Sequence, residues 1–179
     1  MHEQTKFMEA EYFLAQMINE KGNLNPFKYN LSAFLSAARS VLQYSREEVR
    51  VKDGGQGWYD NQTGVYPTIK FFKDKRDINV HGHPVPLKQN VNITVTGVIG
   101  ISDFLAVTIK DQNGNIIGRS ESAPNPPQNP QVIPAITGYE YFFHDWNGKE
   151  DVIELCRKYL EELKLFLADG RSKGFMPAS

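Results

Sequence analysis

The sequence predicts an α+β domain: an up-and-down bundle of about four helices with a small antiparallel β-sheet inserted between the third helix and the last. Three observations lead there. Apolar residues recur at helical spacing through the first half of the chain, the period switches to two from Val91, and helical spacing returns near the carboxyl end. In this reading residues 1–179 form a single domain, with the bundle over 5–83 and 148–170 and the β insertion over 90–146.

The first helix is expected from about Lys6 to Glu20, with Phe7, Ala10, Phe13 or Leu14, Met17 and Ile18 on one stripe and Gly22-Asn23 as a stop. Asn25-Pro26 starts the second, over Phe27 to Val49, where Leu31, Phe34, Leu35, Ala38, Val41 and Leu42 share a face and the alanines permit close helix approach. Asp53-Gly54-Gly55-Gln56-Gly57 reads as a flexible loop, because it lacks the Gly-Lys-Ser/Thr of a phosphate loop and has no strand before it. Pro67 suits the first turn of a third helix running to about Val80, and Pro84 and Pro86 forbid its continuation.

From Val91, apolar Val91, Ile93 and Val95 alternate with Asn92, Thr94 and Thr96. Strands are expected over Phe104 to Lys110 and Ile116 to Ser120, joined by a turn at Asn113-Gly114, and over Gly138 to His144. Ala123 to Pro134 holds five prolines, which suit an extended connection. The aromatics of Tyr139 to Phe143 fit a core-facing strand better than a base-stacking one. Asp145 or Asn147 is the expected cap of a final helix from about Lys149 to Ala168.

Composition narrows the function classes. A net charge of −1 gives no general electrostatic footprint for nucleic acid, so any such contact must be local. Lys70, Lys73, Lys75 and Arg76 supply a local basic patch. The lone Cys156 falls on an apolar helix stripe and reads as packing. Ser32, Ser36 and Ser40 form a row without a histidine–acid partner nearby in sequence, so a hydrolase triad is not supported. No stretch reaches the length of a membrane span and Met1 to Lys6 lacks a signal-peptide layout, so a cytoplasmic protein without membrane contact is expected.

The residues with most chemical content are Arg76-Asp77-Ile78-Asn79-Val80-His81. A guanidinium matches phosphate oxygens bidentately and an imidazole titrates near neutral pH, so the pair is suited to cleaving a phosphodiester without a metal. A purely structural reading stands beside it, with Arg76 paired to Asp74 or Asp77 and His81 capping the helix end. His81, His83, His144 and Asp145 lack the spacing of a metal site, and no cofactor is called for.

Arginine, a polar residue and histidine at this spacing, with the aromatic and alanine-rich run Tyr29 to Arg39 and Tyr159-Leu160 in a terminal helix, resemble the HEPN superfamily. The resemblance covers about half the chain and leaves the β insertion outside the minimal bundle. Many members are metal-independent ribonucleases, often toxins or antiphage effectors, that dimerise with two motifs facing one cleft; others bind without cutting. Carried over, Arg76 would hold the scissile phosphate, His81 would act as general base or acid, and Asp77 would position them. Lys73, Lys75, His83 and Arg39 would be binding residues. The implied partners are RNA, a second copy of the chain and an antitoxin or other protein. Two further readings remain open at this level: a non-catalytic interaction module using the β insertion, and a small-ligand site under Tyr139 to His144.

Overall fold

In order, the elements are α1 (His2–Asn19), α2 (Leu24–Val49), α3 (Gly55–Val65), α4 (Pro67–His81), β1 (Leu87–Thr94), β2 (Ala106–Lys110), β3 (Ile116–Glu121), β4 (Ile136–Phe143) and α5 (Val152–Ser172). This computed structural model describes residues 2–81, 85–94, 106–121 and 136–177, with backbone alone at 77–81, 94 and 136. The class is α+β as expected, but the described residues form five helices and two two-stranded sheets, β1–β4 and β2–β3. The chain separates into two compact units, Met1–Val91 with Gly138–Ser179, and Asn92–Thr137.

In the first unit α2 is the central helix, touching α1, α3, α4 and α5. Its stripe of Phe27, Leu31, Phe34, Leu35, Ala38, Val41 and Leu42 is buried, as its spacing predicts. Phe34 meets Phe72 of α4 and Tyr159 of α5 edge-on, and Phe72 stacks flat on Tyr159 with ring centroids 4.7 Å apart. Burying an aliphatic or phenyl side chain of this size is worth roughly 1.5–3 kcal/mol, so this junction contributes several contacts on the kcal/mol scale to the packing of the three helices.

On β4, Tyr141 and Phe143 turn inward and Tyr139 packs partly against the core. Tyr141 stacks on Phe27 and donates its hydroxyl hydrogen to the Lys21 carbonyl at 2.9 Å. The aromatic strand is therefore core, as its alternation implies. On β1 the apolar Val91 and Ile93 are 48% and 63% exposed. They lie beyond Val85 and Leu87, where β1 is anchored to the core.

The segment read as a flexible loop instead starts α3. Gly54 sits before the helix at φ 72°, and Gly55 packs so closely on the end of α2 that a β-carbon would overlap the Val49 carbonyl. The composition of α3 disfavours helix, and tertiary burial holds it: Trp58 lies over Phe166 and Phe175 and donates its Nε1 hydrogen to Asp169 at 2.7 Å. The cap of α5 also lies later than expected. Asp151, not Asp145 or Asn147, accepts from the Glu154 amide at 2.8 Å, and the Glu154 carboxylate accepts in return from the Asp151 amide. Cys156 is buried and free, its thiol pushed up by burial.

The second unit's described core is the β2–β3 hairpin, paired from Ala106↔Glu121 to Ile109↔Gly118. Its turn forms at the Asn113-Gly114 signal, with the Asp111 carboxylate accepting from the amides of Asn113 and Asn115 and held below its ordinary range by the bonds to Asn115. Residues 95, 96, 104 and 105 of the expected strands and the proline-rich run 123–134 lie outside the described residues.

Candidate functional site

Two consecutive spacings on α2 place Arg39, Leu42 and Arg46 along one side of the helix. Facing them are Tyr59, Asp60 and Thr63 of α3 and Ile69, Lys70 and Lys73 of α4, and together these residues line an open cleft of about 500 Å³. Leu42 and Ile69, both buried, form its apolar floor. Four cations converge over that floor. Among the described residues none of the four is in an ion pair with a carboxylate, whereas Lys21, Lys158 and Lys173 elsewhere each have one.

The acidic residue of the cleft, Asp60, accepts from Gln56 at 2.9 Å on its own helix. Tyr59 is buried beneath Arg39, and burial pushes its phenol up while the guanidinium pulls it back. The Arg39 Nε is enclosed and has no hydrogen-bond partner among the described residues. Arg39 lines the cleft, and a guanidinium there is suited to bidentate contact with a phosphate.

The cleft wall contributed by α4 is fixed from α5. Glu162 accepts from the Thr68 hydroxyl and from the Ile69 amide at 3.1 Å, closing the first turn of α4. Desolvation raises the Glu162 carboxyl despite those bonds.

Of the residues expected at a site, the fold brings Arg39 and Lys73 together in this cleft. Lys75 is elsewhere and is not available to a ligand: it is 4% exposed, ion-paired with Asp145, and lies 4.9 Å over the Phe71 ring. Arg76 is half-buried. Asp77 and His81 are placed by backbone alone, and His83 is outside the described residues. Because α4 is helical through His81, Arg76 and His81 stand about 140° apart around its axis. Asp77 and His81 instead continue the row of Lys70 and Lys73, His81 lying eleven positions and about 16 Å beyond Lys70.

Sequence reasoning missed Arg46, Tyr59 and Asp60. Arg46 carried a usable signal, seven residues after Arg39 on the same helix; Tyr59 and Asp60 became legible only once α3 was seen. The serine row is satisfied locally, Ser36 and Ser40 donating to the carbonyls four residues back. Near Tyr139 to His144 there is a hollow of about 420 Å³ where Lys88, Asn90, His144 and Glu150 meet the aromatic Phe142, Phe143 and Trp146.

No family model matches the sequence, and no curated protein or solved structure is significantly similar to it.

Proposed function

We propose that this chain binds RNA along the α2–α4 cleft and cleaves it without a metal, in the manner of the HEPN-like bundles its sequence resembles. The observation that carries the reading is the convergence over one cleft of Arg39, Arg46, Lys70 and Lys73, none ion-paired with a carboxylate among the described residues. In a chain of net charge −1 such a local cluster suits a polyanion's backbone. The cations position phosphates but carry no acid-base chemistry. That role falls to His81, farther along the cleft row of α4, which would take the proton from the 2′-hydroxyl as it attacks phosphorus, or return one to the departing 5′-oxygen. Arg76 would stabilise the charge on the pentavalent phosphate, Asp77 would orient the imidazole, and a homodimer would bring these groups together across two helices.

A second reading has its own support. The β2–β3 hairpin exposes Val107, Ile109, Ile116 and Ile117 by 45–66%, an apolar display suited to a protein partner such as an antitoxin.

The test is cleavage and binding of single-stranded RNA in excess chelator. Arg39→Ala and Lys73→Ala are expected to weaken binding by about tenfold each, while His81→Ala abolishes cleavage and leaves binding intact, with cyclic phosphate ends on the parent's products. Absence of RNA binding by the parent protein would overturn the proposal and move the function to the hairpin. Binding without cleavage would reduce it to an RNA-binding role.

A further inference from the structure

Beside the cationic cleft lies a second hollow of about 410 Å³ that shares Arg39, Arg46 and Tyr59 with it and adds Ser40, Gln43 and Tyr44 from α2. The shared residues make the two spaces neighbours across one guanidinium row, yet their chemistry differs. The first presents four cations. The second adds no cation of its own and includes Glu47, which is already paired with Arg50 at 2.9 Å.

What the second hollow offers is an aromatic face and neutral hydrogen-bonding groups. Tyr44 is 39% exposed and forms an aromatic ledge in the lining of the hollow, with the His2 ring tilted beside it at a centroid distance of 5.4 Å. One turn away on the same helix, the Ser40 hydroxyl donates to the Ser36 carbonyl at 2.9 Å and keeps lone pairs to accept. The exposed Gln43 carboxamide both donates and accepts, as the edge of a heterocycle requires.

We infer that this second hollow takes a nucleobase, stacked on the Tyr44 ledge and met at its edge by Gln43, while the neighbouring phosphate sits against Arg39. The inference rests on the reading of the first cleft as a phosphate site and adds to it what the phosphate contacts cannot supply: a preference for a base-bearing strand over a bare anion. Arg39 lines both spaces, so the link between base and phosphate would pass beside it.

The experiment compares binding of a 2′-O-methyl RNA tetramer, which cannot be cleaved through its 2′-oxygen, with an abasic sugar-phosphate tetramer of equal charge, both by fluorescence anisotropy with the full chain. The base-bearing strand is expected to bind about tenfold tighter, and Tyr44→Ala or Gln43→Ala to remove most of that advantage. Lys73→Ala should weaken both ligands together. Equal affinity of the two tetramers would overturn the base site while leaving the phosphate site standing, and failure of both to bind would overturn the two readings at once. Adenosine monophosphate titrated in parallel separates sources of the same chemistry: affinity matching the tetramer marks a free nucleotide as the occupant, and much weaker affinity marks a strand.

Discussion

Lys75 shows how burial decides the meaning of a charge. Its sequence neighbours Lys73 and Arg76 suggest a basic surface, but the ammonium lies against Phe71 and Phe143 and is compensated by Asp145, which is itself 61% exposed. Removing the two partners should therefore have unequal effects. Asp145→Ala strands a buried cation and is expected to lower unfolding stability by about 2 kcal/mol or more, whereas Lys75→Met keeps the stem packed between the rings, removes the desolvation penalty and should cost less than about 1 kcal/mol. Urea unfolding of both variants checks the order; equal losses would mean that the pair is not held as described. The pH dependence has a defined sign. The hydrogen bond from Lys75 holds the Asp145 carboxyl below its ordinary 3.8, so its contribution is present above that value and is lost as pH falls through the lowered one.

At the scale of elements, the long helices were legible because each carries its own periodic stripe, and α4 begins at Pro67 as that residue's fixed φ predicts. Helix α3 was not legible. Its residues Gly55-Gln56-Gly57 disfavour helix locally, and the Trp58 contacts that override them come from residues more than a hundred positions away. The displaced start of α5 is a different case, since Asp151-Val152-Ile153-Glu154 has the spacing of a capping box and was readable. The glycines at the start of α3 predict three distinct outcomes. Gly54→Ala forces a β-carbon to φ 72° and should cost about 1 kcal/mol, and Gly55→Ala meets the Val49 backbone and should cost about 2 kcal/mol or more. Gly57→Ala meets nothing within 4 Å inside a helix and should stabilise by up to about 1 kcal/mol. Thermal unfolding of the three variants reads the order directly. Because α3 carries Tyr59 into the cleft, Gly55→Ala should weaken ligand binding as well.

For the whole molecule, the candidate site was legible only in parts: Arg39 and Lys73 were named, but the cleft that unites them needs three helices in register. The Arg76 to His81 spacing bears on assembly. Positions about 140° apart on a continuous helix do not share a face, so if both groups act on one phosphate, a second subunit is the natural source of one of them. In a two-fold dimer each cleft would then take its arginine from one protomer and its histidine from the other. Arg76→Ala and His81→Ala proteins, each inactive alone, should recover cleavage when unfolded together, mixed in equal amounts and refolded. Half of the dimers would be mixed, and each mixed dimer would hold one intact pair and one doubly defective pair, so about a quarter of the parent activity is expected. Recovery near that level ties activity to the exchange of subunits. No recovery, from variants shown to be folded and dimeric, would mean that Arg76 and His81 do not serve a shared phosphate across the interface, and the cations of the α2–α4 cleft would then have to stabilise the transition state without Arg76.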